Sequence, residues 1–223
     1  MSRPLRTILP GVIHHVIQRG NNGQTVFRDD EDSKRYLELM RVYAGKSHCS
    51  IVGYCLMSNH VHILVRAGLS EKSIGKMMHG INVCFAKYIG EKYEYRGHLW
   101  GSRFLAYPVE DGEHLWTVSL YIDQNPCKAG LCKSPEEYAW SSARAHFEGR
   151  MDTVLNEILF EGEDAFAYKE EMGVPCSEND VQQVERHAQS GWPMGGKAFV
   201  ARIEKQLGRL FRPSSQGRPR KHP

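Results

Sequence analysis

The hydrophobic pattern of this 223-residue chain predicts an α+β fold: an antiparallel sheet with helices packed on it, followed by a helical, basic C-terminal extension. Three observations lead there. Short segments with strand-type patterning alternate with long amphipathic ones, in the order β-α-β-β-α-β-α. Two of the strand segments are separated by only two turn-forming residues. After about residue 150 the texture changes to charged segments with helical spacing.

The first strand is read at Val12–Gln18, in "GVIHHVIQRGNNG", closed by a Gly/Asn turn. In "DDEDSKRYLELMRVYAGKS" the early acids favour a helix N-terminus. Tyr36, Leu37, Met40 and Tyr43 recur at helical spacing, and Gly45 is the expected stop. "SIVGYCLM" and "HVHILVRA" form a hairpin around the "SN" turn. A long helix follows, capped by Ser70, with Ile74, Met77, Met78, Ile81, Phe85 and Ile89 as its apolar stripe. "RFLAYPV" is a fourth strand, with Pro108 at its end or on an edge. "DGEHLWTVSLYIDQN" is a further helix, stopped before Pro126. The first six elements match the ferredoxin-like split β-α-β pattern, with helices on one face of the sheet and the seventh element as an extra helix.

The chain divides in this reading into a domain at 1–150, a helical extension at 151–212 and a basic tail at 213–223. The extension holds "LNEILFEGEDAFAYKEEM", a helix start at "PCSENDVQQVERHA", and a stripe of Phe199, Ile203, Leu207 and Leu210. The tail has too few apolar residues to pack. "WSS" (140–142) reads as structural, with Trp140 covering the sheet and a serine starting a helix.

Apolar content of 41% and charged content of 25% suit a chain that buries a core. No run reaches the roughly 18 apolar residues of a membrane span, and the start shows no signal-peptide pattern. A cytoplasmic location is expected. The six cysteines show no C-x-x-C spacing and read as free thiols rather than zinc ligands or a disulfide framework. The net charge of +3 is segregated. Residues 151–185 carry one lysine against ten acids, and residues 186–223 carry nine basic residues against one acid, Glu204. A basic end on a near-neutral body is a usual footprint of nucleic-acid contact, although a solubilising tail has the same composition.

"YCLMSNHVHILV" places His60 and His62 two apart on a strand, so they project from one face while Val61, Ile63 and Val65 cover the other. Neutral imidazole is a common divalent-metal ligand. Alone, the spacing is more often two ordinary strand histidines. The neighbouring His14 and His15 face opposite ways, and neither is expected in a site. In "SLYIDQNP", Tyr121 and Asn125 share a helix face. Asn125 can complete an oxygen and nitrogen coordination that Mg²⁺ or Mn²⁺ accepts, and Tyr121 can act as a nucleophile. The plainer reading of this helix alone is a tyrosine packed on the sheet and an asparagine as a cap.

Together these motifs resemble the single-tyrosine HUH transposases, and the layout is similar to the REP-associated tyrosine transposases of bacteria. "HHVIQRGNN", "YAWSSARAHF" and "GRPRK" add to the likeness. The resemblance implies His60, His62 and Asn125 as ligands of a divalent metal, Mg²⁺ or Mn²⁺. It implies Tyr121 as the nucleophile that forms a 5′-phosphotyrosine link on single-stranded DNA. The implied substrate is an imperfect palindromic repeat folded into a hairpin beside a guide sequence. The implied protein is a monomer or homodimer, cytoplasmic and associated with the nucleoid. One departure is Asp123, where relatives often carry a basic residue or His. It sits about 200° round the helix from Tyr121 and is expected to face away.

Single strands are held by basic grooves and aromatic platforms. "GHLWGSRF" offers His98, Trp100 and Arg103, with Trp100 equally suited to plug the core. Arg19 lies beside a glycine turn. Arg218, Arg220 and Lys221 in "GRPRK" resemble a minor-groove arm, or else bind phosphate without reading sequence. "PMGGK" lacks the spacing of a phosphate-binding P-loop. Two other functions share the motifs: a DNA-binding protein without catalysis, and a nuclease using metal-bound water.

Overall fold

A computed structural model describes residues 7–211. Strands β1 (Ile13–Arg19), β2 (Ser50–Met57), β3 (His60–Arg66) and β4 (Leu105–Val109) form one sheet in the order β2-β3-β1-β4. Every pairing is antiparallel. Helices α1 (Asp30–Lys46) and α2 (Ser73–Lys92) connect the strands as the split β-α-β pattern requires.

The helix α1 starts where its acids predict. The Asp29 side chain accepts from the Asp32 backbone N–H, and Asp30, Glu31 and Asp32 occupy the first turn. It continues through Gly45 to Lys46, one residue beyond the expected stop. The apolar stripe of α2 is fully buried and packs with Tyr36 and Met40 of α1 against Val61, Ile63 and Val65 of β3. Close approach of the two helices depends on Gly80, where a Cβ would lie 2.2 Å from the Tyr43 ring.

Helices cover both faces of the sheet: α1 and α2 share one, as the split β-α-β pattern has it, and the extra seventh element lies on the other. Leu115, Val118 and Ile122 of α3 (Glu113–Asp123) and Val184 of α7 (Glu178–Ser190) pack on Ile13, Leu64, Tyr107 and Val109. The reason is in the strands themselves: β2 and β3 are buried along nearly their whole length, so alternate residues on both sides need cover. Gly53 sits at the β2 bulge, where its missing side chain leaves space for His146 of α5 (Ala143–Glu148).

Both edges of the sheet are closed. Trp140 and Ser142 exchange backbone bonds with Leu56 and Tyr54 of β2, each 2.9 Å. On the other side Met194 bonds Pro108 and Glu110. Pro108 therefore occupies the edge strand, where its missing N–H is tolerated.

Residues beyond 150 pack against the sheet and α3. Leu120 of α3 packs with Phe160, Tyr168 and Met172, the last two from α6 (Gly162–Met172). Leu9 packs with Phe199 and Ile203 of α8 (Lys197–Leu207). The helix expected across the acidic segment begins only at Gly162, and Leu210 of the expected stripe is exposed. The basic tail lies outside the described residues.

Candidate active site

Directly opposed residues in an antiparallel pair share a face. Arg19 opposes His60, Ile17 opposes His62, and His15 opposes both Leu64 and Tyr107. These residues look toward α3. Tyr121 comes from the last turn of that helix and Asn125 from just beyond it, so histidines, tyrosine and asparagine line one cavity of about 560 Å³, with Arg19, Arg103 and Lys128. The ring centroids of His60 and His62 are 4.9 Å apart, and those of His62 and Tyr121 5.8 Å.

Asn125 is not on α3, as the spacing suggested. The helix breaks at Gln124, and Asn125 opens the short α4 (Asn125–Lys128), with Pro126 in its first turn. Proline has no N–H for the next helical bond. Asn125 stays near Tyr121 because its Nδ2 donates to the Tyr121 carbonyl at 3.1 Å, which leaves Oδ1 for another partner.

Each imidazole has its Nδ1 engaged. His60 Nδ1 lies 2.6 Å from Asn59 Oδ1, and Asn59 Nδ2 donates to the Gly23 carbonyl. That second bond fixes the amide orientation, so Oδ1 is an acceptor and His60 carries its proton on Nδ1. Its Nε2 lone pair is then available. His62 Nδ1 lies 2.8 Å from His15 Nε2, and His15 Nδ1 lies 2.8 Å from the Tyr107 hydroxyl. Burial, with Arg19 adding, pushes His60 down to about 4. His62 lies well below its ordinary value through burial and then the neighbouring His15. Both are neutral near pH 7, the state that binds metal. His62 offers its Nε2 lone pair in the tautomer where its Nδ1–H donates to His15 Nε2, and in that state two neutral imidazoles and one amide oxygen fit a divalent metal of the Mg²⁺ or Mn²⁺ class. Among the described residues, no cluster of three or more His, Cys, Asp or Glu could hold a metal.

Burial raises the Tyr121 phenol above 10, and Glu185 adds to this, while Asn125 and Arg19 oppose it. Tyr121 is therefore a phenol at neutral pH. Lys128 Nζ lies 6.0 Å from its ring centroid and 3.8 Å from Glu185.

Asp123 faces away from the cavity and is fully buried. Its Oδ2 accepts from Tyr168 Oη at 2.8 Å and lies 2.7 Å from His146 Nδ1. His146 Nε2 meets the Val52 carbonyl of β2 at 3.0 Å. This tie fixes the end of α3 to the sheet and to α6.

Of the other predicted residues, Arg19 and Arg103 line the cavity. Trp100 does not: it packs on Tyr36 and Phe85 as a core plug. His98 is exposed on the preceding loop, and its carbonyl accepts from Gln24. Arg218, Arg220 and Lys221 lie outside the described residues. Tyr107, Lys128 and Glu185 carry no signal in the sequence, and His15, not expected in a site, stands against His62. His15 needed the strand register to show that it shares the face of His62.

The family described as "Transposase IS200 like" matches residues 10–125, more than half of the chain, so the chain belongs to the IS200-like transposases. Among solved structures, it is similar to a REP-associated tyrosine transposase bound to a REP hairpin. The TM-score is 0.59 at 14% identity, covering 74% of this chain and 96% of that one. The two share a fold. A chain from Deinococcus radiodurans R1 assigned to the transposases is 18% identical with a TM-score of 0.39, covering 55% of this chain and 97% of that one. No curated protein matches. Among the described residues, no helix is long and apolar enough to cross a membrane.

Proposed function

We propose that the chain is a metal-dependent single-tyrosine strand transferase that cuts and rejoins single-stranded DNA beside hairpin-forming palindromic repeats. The observation that carries this reading is the shared cavity of Tyr121, His60, His62 and Asn125, rimmed by Arg19, Arg103 and Lys128. The hairpin bound to the structurally similar transposase supports the substrate class.

The Tyr121 oxygen attacks a DNA phosphorus, and the Tyr121–O–P bond forms as the P–O3′ bond breaks. The phenol proton goes to solvent and a proton returns to the leaving 3′-oxygen, so a phosphodiester is exchanged for a phosphotyrosine and a 3′-hydroxyl. The bond energy is kept for rejoining by the reverse step. Arg19 and Lys128 supply positive charge for the phosphate and for the phenolate as it forms. His60, His62 and Asn125 Oδ1 would hold the Mg²⁺ or Mn²⁺, which when bound supplies Lewis-acid stabilisation of a non-bridging oxygen. Arg103 and the exposed His98 extend the polar surface for the strand, and Arg218, Arg220 and Lys221 add positive charge for the DNA backbone. The protein acts as a monomer or homodimer in the bacterial cytoplasm, at the nucleoid.

The test uses labelled hairpin-tailed single-stranded DNA with Mg²⁺ or Mn²⁺. A protein–DNA adduct that survives detergent and is lost in Tyr121→Phe is expected. Cleavage that persists in Tyr121→Phe points to a water-using nuclease. Binding with no cleavage points to an inactive DNA-binding protein.

A further inference from the structure

Tyr121 and Lys128 stand between two cavities. On the side away from the histidines is a second one of about 610 Å³, within the roughly 300–1,000 Å³ of ligand sites. Its apolar walls include Met172, Pro175 and Val181, and its polar groups include Ser134, Glu178 and Gln182. Most of this lining lies beyond residue 125, outside the part of the chain that the transposase family matches.

The far wall is fixed to the end of α3 by one side chain. Gln124 Nε2 donates to the carbonyls of Met172 (3.1 Å) and Val174 (2.6 Å), and its Oε1 accepts from the Cys176 N–H (2.8 Å). Gln124 follows Tyr121 by three residues and is almost fully buried. The loop after α6 therefore holds a set position relative to the nucleophile.

Attack at phosphorus runs in line, with the leaving oxygen opposite the attacking one. The strand carrying the leaving 3′-oxygen must then depart from the side of the phosphate remote from Tyr121. The 5′-oxygen of the next nucleoside is equatorial. Tyr121 and Lys128 line both cavities, so it can run past them into the second one.

We propose that this cavity binds the sugar and base of the nucleotide immediately 3′ of the cleaved phosphodiester, the one that stays joined to Tyr121. The inference rests on the strand-transfer reading above. Met172, Pro175 and Val181 contact the faces of the base, and Ser134, Glu178 and Gln182 hydrogen-bond its edge. Lys133, also in the lining, meets the following phosphate. The residues after 150 thereby take part in choosing the cut site, although no group in them carries the chemistry.

The experiment uses the full chain and hairpin-tailed DNA selected for adduct formation from a pool with randomised flanks. Two versions carry 5-iododeoxyuridine, one at the first nucleotide 3′ of the cut and one at the first nucleotide 5′ of it. After irradiation, crosslinked peptides are mapped by mass spectrometry. The 3′ label is expected on peptides containing residues 133–135 or 172–182, at roughly tenfold the yield of the 5′ label. Val181→Trp, which fills the cavity, is expected to raise KM roughly tenfold with kcat little changed, the signature of lost ground-state binding. A Tyr121 adduct with the 3′ label crosslinked elsewhere, or with Val181→Trp kinetics unaltered, overturns this inference and leaves strand transfer standing. Absence of any Tyr121-dependent adduct overturns both.

Discussion

Replacing His146 by Phe tests whether a buried ion pair anchors the tyrosine helix. Asp123 is 0% exposed and His146 5%. Oδ2 of Asp123 holds both of its bonds, to His146 and Tyr168, while Oδ1 is buried with no partner. His146→Phe leaves a buried carboxylate with one hydroxyl donor. Removing one partner of such a pair costs about 3–5 kcal/mol, a large part of a typical total of about 5–15 kcal/mol. Replacing both partners, as Asp123→Leu with His146→Phe, removes the stranded charge and should recover most of the loss. Urea unfolding followed by fluorescence measures both. The pair also sets a pH dependence. Burial lowers the His146 pKa, but the Asp123 carboxylate outweighs it, and the net shift is upward from 6.5. A raised folded-state pKa gives stability that is full below about 6.5 and lost as pH rises through the folded value. Wild-type stability should fall on that alkaline side, and His146→Phe should lose the dependence. A single variant that costs under about 1 kcal/mol, or a double variant as unstable as the single, would refute the anchoring argument.

Other outcomes follow from neighbouring groups. His15→Asn keeps the position of Nδ1 toward Tyr107 but loses the bond to His62. It should weaken Mn²⁺ binding by about 10–100-fold in calorimetry, whereas His15→Gln, which can still reach His62, should weaken it less. His14 is held neutral by burial, down to about 4. Its stability contribution is present above about 6.5 and shrinks as pH falls toward 4, by on the order of 2 kcal/mol at pH 5, visible as acid destabilisation in urea titrations. The Tyr36 hydroxyl is buried with no partner. Tyr36→Phe should therefore be neutral or stabilise by about 1 kcal/mol in thermal unfolding. Arg19→Ala should lower the salt dependence of DNA binding by about one unit of slope while affecting sequences alike.

Much of the fold was legible because its signals are local. The period-two run at His60–Arg66, the two-residue turn at Ser58–Asn59 and the stripe from Ile74 to Ile89 each announce an element, and all appear within a few residues of their expected bounds. The placing of His60, His62, Tyr121 and Asn125 in one cavity was anticipated from periodicity joined to a family likeness. What stayed hidden depends on register and on distant packing. His15 meets His62 only because β1 and β3 pair as they do. Nothing local marks Gln124, yet its side chain bonds Met172, Val174 and Cys176, some fifty residues later. Asp123 is expected to face away from Tyr121 and does, but its partners His146 and Tyr168 lie 23 and 45 residues away and only the packed fold reveals them. Trp100 was ambiguous because stacking platforms and core plugs share a composition, and packing against Phe85 decides its place.

The measurement closest to the central claim is mass spectrometry of the chain after reaction with hairpin-tailed single-stranded DNA and Mn²⁺, followed by nuclease trimming. The account predicts a nucleotide joined through its 5′-phosphate to the peptide containing Tyr121, and no such product from Tyr121→Phe. Cut DNA bearing a free 5′-phosphate, with the Tyr121 peptide unmodified, would contradict it.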